Sequence, residues 1–451
     1  MNKILKQICM MSIFLLVTHT KSTYANTDNL STNTISDHVP NYITIGGHQI
    51  NTSLTRLEIT ERVIAQPRQG GPASARPSSA PASSSQNQVR PSQTYTQSLF
   101  INTTETTRLT DEDFAQLRYM TNLTNLWITN TNITDISVLS ELTNLRHVTL
   151  ALNQISDFSP LIELNSLTSL SINDNQISDL SVLSDLPNLI SLSLIGEQIA
   201  DLSPLVALQN LQWLTLAGRN IVDIQPLSEL TALSTQLWIR DTNITDISPL
   251  ASLYNLENLW LSNNPISDIS PLKYLVNLDG ALRLQNGQIK DISPISYLVN
   301  LTILCLAGNQ ISDISPLSTL VNLRSLILGH ASYSSLGGNQ ISNISPLADL
   351  ANLTNLEAGG NLIKDINPLR NLTNLRSLHL SENQIVNISP LRTLENLTQL
   401  SLGRNPISDI SVLSHLKNLN SIGLEDTQVV DWSPVSHIPR GVRGRPFYYD
   451  H

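Results

Sequence analysis

The sequence predicts a solenoid of short repeats whose stacked parallel strands form one continuous face. Three observations predict it. From Leu123 the chain repeats itself every 22 residues. Each unit carries a Leu-x-Leu pair, the alternation of a strand with one buried side. Each unit then offers a polar turn, often Asn, and in most cases a Ser-Pro step that starts a short helical turn.

The elements follow in chain order. Lys3 and Lys6 precede the apolar run Ile8–Val17, and Thr23-Tyr24-Ala25 places small residues where a signal peptidase cuts. Residues 1–25 are read as a secretory signal peptide, with an apolar part too short to span a bilayer. No later segment is long and apolar enough for a membrane anchor. Residues 26–65 show apolar alternation at Tyr42–Ile45 and Leu54–Ile59, which fits either a degenerate repeat or a small cap. Residues 66–98 hold five prolines among Ser, Gln, Ala and Gly, so they bury too little apolar surface to order and read as a flexible spacer. Residues 99–122 are expected to cap the solenoid. Thr110 opens a helix over 111–120 with Phe114, Leu117 and Met120 at helical spacing.

Residues 123–438 contain fourteen units, each beginning with Leu, from Leu123 to Leu419. One unit reads Leu145-x-x-Val148-x-Leu150-x-x-Asn153-x-Ile155-x-Asp157-Phe158-x-Pro160-Leu161-x-x-Leu164. A period of roughly 20–29 residues with this leucine and asparagine spacing is the leucine-rich-repeat signature. The expected fold is a leucine-rich-repeat solenoid, with a parallel β-sheet on the concave face and short 3₁₀ or helical turns on the convex face. The Asn amide is expected to satisfy backbone groups at the bend. Ser is expected to cap the turn, with Pro at its first helical position. Asp recurs two residues before that Ser, as at Asp157, Asp201, Asp246, Asp268 and Asp313. Local capping is preferred to a calcium column, because Asn343 and Asn387 substitute for Asp without other change. At the far end Trp432 replaces an aliphatic residue, and residues 439–451 are read as a cap or tail closed by Phe447, Tyr448 and Tyr449.

The unit Leu301–Leu320 resembles the repeat of the internalins, which are secreted or surface-attached bacterial proteins. It is also similar to the repeat of intracellular regulators of protein phosphatase 1. The resemblance implies a right-handed horseshoe whose concave strand face binds another protein. The signal peptide favours the internalin-like side and a secreted or cell-surface location. The sequence departs from the internalin pattern in having no immunoglobulin-like domain after the repeats and no sorting motif with a hydrophobic tail.

Composition narrows the function. A formal charge of −10 leaves no basic stripe for phosphates and argues against nucleic acid. Signal cleavage removes Cys9 and leaves Cys305 as a single thiol, which excludes a disulfide framework and a multi-Cys zinc site. There is no nucleophile–base arrangement, phosphate loop or metal-ligand spacing, so neither an enzyme nor a cofactor is expected. Glu357 and His379 fall at equivalent places on adjacent strands without a third group.

The residue between the strand leucines reads, unit by unit, Trp127, Thr149, Ser171, Ser193, Thr215, Trp238, Trp260, Arg283, Cys305, Ile327, Glu357, His379, Ser401 and Gly423. Most are small. Trp238, Trp260 and Arg283 are consecutive, Trp213 shares their face one unit earlier, and Arg240 and Asp241 lie beside them. Exposed aromatics with Arg at mid-array mark a candidate protein-binding patch. The competing reading is that the rings stack on each other across strands. One extra residue before Leu237 and another before Leu282 flank the Trp260 unit, and eight extra residues, Gly329–Leu336, add His330 and Tyr333 as candidate contacts. The expected function is an exported protein-binding solenoid. The alternatives are a structural surface or matrix component, or an intracellular phosphatase-regulator-like protein.

Overall fold

The structure, a computed structural model, describes residues 42–45, 48–51, 56–60, 98–102, 109–330, 337–438 and 441–444. The expected signal peptide, nearly all of the 66–98 spacer, Tyr333, and Phe447, Tyr448 and Tyr449 lie outside the described residues.

Period becomes register. Ser98–Asn102 pairs in parallel with Asn125–Thr129, and each later strand pairs with the next in chain order to Val442–Arg443. Arg56–Thr60 adds a parallel strand before Ser98–Asn102, so the segment between them joins two neighbours in one sheet. Tyr42–Ile45 and His48–Asn51 form an antiparallel hairpin near the short helices that precede the repeats. The strand leucines and the returning Ile and Leu positions fill a single continuous core. In the unit that begins at Leu256, for example, Leu256, Leu259, Ile269 and Leu272 are all fully buried or nearly so.

The helix over 111–120 is an α-turn, Asp111–Ala115, that tightens into a 3₁₀ turn, Gln116–Tyr119. Thr110 and Asp113 exchange the reciprocal bonds of a capping box. Phe114, Leu117 and Met120 are buried against the first strands' leucines.

Most turn asparagines are buried, and their amides are used on both sides. Asn309 Nδ2 donates to the carbonyls of Leu284 and Leu306 at 2.9 and 3.0 Å, while its Oδ1 accepts from the Ile289 amide at 3.1 Å. One amide thus ties two successive turns, and Asn361, Asn383 and Asn405 do the same in later units.

The turn caps follow the expectation for Asp and differ from it for Ser. Ser caps no 3₁₀ turn with its side chain. Instead the Asp two residues earlier accepts the Ser amide, as from Ser248 to Asp246 and Ser315 to Asp313, each at 2.8 Å. The Ser hydroxyl then donates to the second Asp oxygen. Both residue types cap well, but the carboxylate reaches forward over the turn while the Ser already lies in it. Asn343 and Asn387 accept in the same way. The carboxylates therefore face their own backbone, which accounts for the Asp column without a metal.

The two single-residue insertions leave the sheet in register, with Leu237 opposite Leu259 and Leu259 opposite Leu282. Asn258, between them, serves both. Its Nδ2 donates to Thr235 O at 3.0 Å and its Oδ1 accepts from the Ala281 amide at 2.9 Å.

Candidate functional site

The site begins with side-chain alternation. Residues between two core leucines point away from the core onto the opposite face of the sheet. The pairings set them in one column, with Thr215 beside Trp238, Trp238 beside Trp260, Trp260 beside Arg283 and Arg283 beside Cys305. Trp213 sits two residues before Thr215 on the same strand and so shares that face.

These side chains form one stack. The Trp238 and Trp260 rings lie 3.9 Å apart between centroids with planes 12° apart. The Arg283 guanidinium sits 4.5 Å from the Trp260 ring centroid on its neighbouring strand. Trp213 leans on Trp238 at 6.1 Å with a 55° tilt. The rings are half-buried rather than freely exposed, because parallel strands are spaced close to the thickness of two stacked ring faces. Both readings of the column are therefore partly realised: the rings stack, and their outer portions still face solvent.

Buried polar atoms without a hydrogen-bond partner gather at this stack. They are Trp238 Nε1, Trp260 Nε1, Arg283 Nε, Thr215 Oγ1 and Gln285 Oε1. Such atoms are rare in folded proteins and need a reason.

Around the stack, Arg240 reaches Asp241 at 3.4 Å, and Asp241 accepts from Asn263 at 2.7 Å. Asp174 lies near enough to Arg240 to feel its charge. Burial raises the Asp174 carboxyl above the usual range, Arg240 pulls it back and Glu197 adds to the rise. Trp127 does not join this cluster. It stacks on Phe100 at 4.0 Å with planes 8° apart, near the amino-terminal end of the sheet. Phe100 was not singled out from the sequence, because its strand precedes the first regular unit. His330 packs beside Gly359 and Gly360 and approaches Glu382 at 3.2 Å, and Glu382 also pairs with Arg404. His330 is thus several strands from the tryptophans.

The expected outward column is not uniformly open. Cys305, Thr215, Ser193 and Ser401 are buried. Cys305 lies between the longer Arg283 and Ile327 on adjacent strands, and Thr215 lies beside Trp238. Burial pushes the Cys305 thiol up. Glu357 and His379 are adjacent but bond along their own strands. Asn355 donates to Glu357, and His379 Nδ1 lies 3.4 Å from Ser377 Oγ.

Comparison with known proteins agrees with this geometry. A family model described as leucine-rich repeats (2 copies) matches residues 121–163, 165–207, 235–274, 255–297, 281–319, 299–334, 351–393 and 373–418. An internalin of Listeria monocytogenes, InlF, is 35% identical over 68% of this chain and 82% of its own, with a TM-score of 0.54. A repeat protein of Leptospira interrogans is 23% identical over 73% of this chain and 86% of its own, with a TM-score of 0.63. The functional domain of InlJ from Listeria monocytogenes is 22% identical over 71% of this chain and 72% of its own, with a TM-score of 0.57. The last two speak for the fold alone. A search of curated proteins finds no match.

Proposed function

Because this chain belongs to the leucine-rich-repeat family and is internalin-like, we propose that it is an exported binding protein that holds another protein against its concave face. The stack Trp213–Trp238–Trp260–Arg283 carries the reading. It concentrates aromatic and guanidinium area on a face made mostly of small residues, the composition of an interface hot spot. The unpartnered indole and guanidinium N–H groups add to it. Their desolvation is already met in the free fold, so a small ring rotation toward an acceptor on the partner gains hydrogen bonds at little further cost. Arg240 and Asp241 supply a charged rim to this contact. Trp127 forms a second aromatic step, His330 lies further along the array, and Tyr333, outside the described residues, is a further candidate contact. No helix among the described residues is long and apolar enough to cross a membrane.

The test is quantitative binding of a captured partner to the wild type and to the Trp238→Ala/Trp260→Ala variant. The variant is expected to bind about thirtyfold more weakly, or about 2 kcal/mol. Its stability falls by about 1.5–4 kcal/mol, the worth of the two ring pairs and the cation–π contact that it removes. Unchanged binding refutes the site. Intact protein recovered from the cytosol with residues 1–25 uncleaved refutes export.

A further inference from the structure

A second surface lies on the flank of the solenoid, where the chain passes from the 3₁₀ turn to the next strand. Tyr254, Val276, Val299 and Val321 occupy one repeat position in four successive units, and Tyr274 and Tyr297 stand beside them. All six are exposed, from 44% at Val299 to 60% at Tyr297. Elsewhere the same position is Thr121, Thr143, Asn165, Pro187, Gln209, Thr231, Ala351, Thr373, Glu395 or Lys417, with no large apolar side chain. Scattered exposed apolar residues need no explanation, but a contiguous patch confined to four units does.

The patch is held rigid. The Asn that follows in each next unit donates to its backbone: Asn277 to Tyr254 O, Asn300 to Val276 O, Asn322 to Val299 O and Asn352 to Val321 O. It is thus organised before any contact is made.

Its charges show what covers it. A polar groove runs along the patch, with Glu257 and Asp279 toward one end and Arg324 at the other. Glu257 and Arg324 occupy the same repeat position three units apart, about 14 Å at strand spacing. Within one chain they are too far apart to pair, and no ion pair to Glu257, Asp279 or Arg324 occurs among the described residues. Turning the stripe end over end about its centre, between the units of Leu278 and Leu301, brings complementary groups together. Glu257 meets Arg324, Tyr254 meets Val321, Val276 meets Val299, and Tyr274 meets Tyr297. A surface that matches its own reverse is the condition for a two-fold contact between identical chains.

We infer that this flank docks a second copy of the same chain, antiparallel, with Glu257 of each copy against Arg324 of the other. The concave face stays open in both copies, so the dimer would present two binding faces. The contact spans only four units, and a reversible dimer in the micromolar range is expected.

Sedimentation velocity of the purified full chain over a concentration series tests this. The wild type should move from monomer to dimer with rising concentration. Glu257→Arg and Arg324→Glu, both at exposed positions, should each remain monomeric. An equimolar mixture of the two variants should dimerise again, because each junction then joins opposite charges. Trp238→Ala/Trp260→Ala should dimerise as the wild type does, which separates this contact from the concave site. A wild type that stays monomeric throughout, or a mixture that stays monomeric, overturns the inference. So does a tryptophan variant that loses the dimer.

Discussion

Replacing Asn309 by Ala removes four hydrogen bonds, the longest of them to the Ala307 carbonyl at 3.4 Å, whose partners lie in the core of the turn. The Leu284 carbonyl loses its donor and the Ile289 amide its acceptor, while the Leu306 carbonyl keeps the Asn339 amide. Asn309 is only 7% exposed, so water does not replace the side chain freely. Each bond contributes about 1 kcal/mol net, and leaving a buried partner unsatisfied costs about 1–3 kcal/mol. The expected loss is about 3 kcal/mol or somewhat more. Asn309→Asp separates donor from acceptor. It keeps an oxygen for the Ile289 amide but turns a second oxygen toward two carbonyls, so it should destabilise at least as much as Ala although its shape is nearly unchanged. A long repeat array need not unfold in one step. Urea titration followed by circular dichroism should therefore be paired with amide exchange at Ile289, which reports the affected turn directly. A loss below about 1 kcal/mol for Ala, or an Asp variant milder than the Ala variant, would refute the account of the asparagine as a two-turn clamp.

Leu259→Ala should cost about 2–5 kcal/mol, since the side chain is fully buried and leaves a cavity. Chemical denaturation reads this, and a near-neutral result would mean that the stacked tryptophans rather than the leucine core hold that strand. Amide and hydroxyl donors from the following Ser lower the carboxyls of Asp157, Asp201, Asp313, Asp409 and Asp431. A carboxyl lowered in the fold stabilises it above the unfolded-state pKa, and that stability is lost as pH falls through the lower folded value. The melting temperature should decline on acidification, and Asp313→Asn with Asp409→Asn should shallow that decline; parallel curves for variant and wild type count against the capping role. Cys305 is 1% exposed and its thiol is raised by burial, so a thiol reagent should label it only under unfolding conditions. Rapid labelling of the native protein would show that Arg283 and Ile327 do not cover it.

Stacking copies each sequence position into a spatial column, which explains what could be read in advance. The order Trp127, Thr149, Ser171 and onward to Gly423 is the order of the strand pairings. The period alone places Trp238 between Thr215 and Trp260. It does not give the height of one side chain over the next, and height decides that Cys305 is covered while Trp260 remains half-open. Where the period is interrupted the reading stops short. Arg56–Thr60, Phe100 and Arg443 extend the same sheet, yet none falls within a regular unit. The choice between Asp and Ser as the cap also needed geometry, because both residue types suit the role.

The columns that depart from their own average carry the information about partners. The concave column is mostly small or polar except at Trp127, from Trp238 to Arg283 and at Ile327. The flank column is polar over most of its length except from Tyr254 to Val321. Core columns are invariant in character because every unit must close the same leucine wall, so they say nothing about partners. The two main departures overlap on the units of Leu256 and Leu278. Asn258, in the first of these units, joins the two inserted residues that flank it. Without that clamp each extra residue would shift the face of every side chain after it on its strand, because one residue reverses the alternation. The Trp238–Trp260–Arg283 alignment therefore depends on a side chain that is not itself one of the three stacked groups. Asn258→Ala should loosen the stack while leaving the leucine core intact. Tryptophan fluorescence that shifts toward the exposed value with little change in the far-ultraviolet spectrum is the expected signature, and an unchanged emission spectrum would show that the leucines alone set the register.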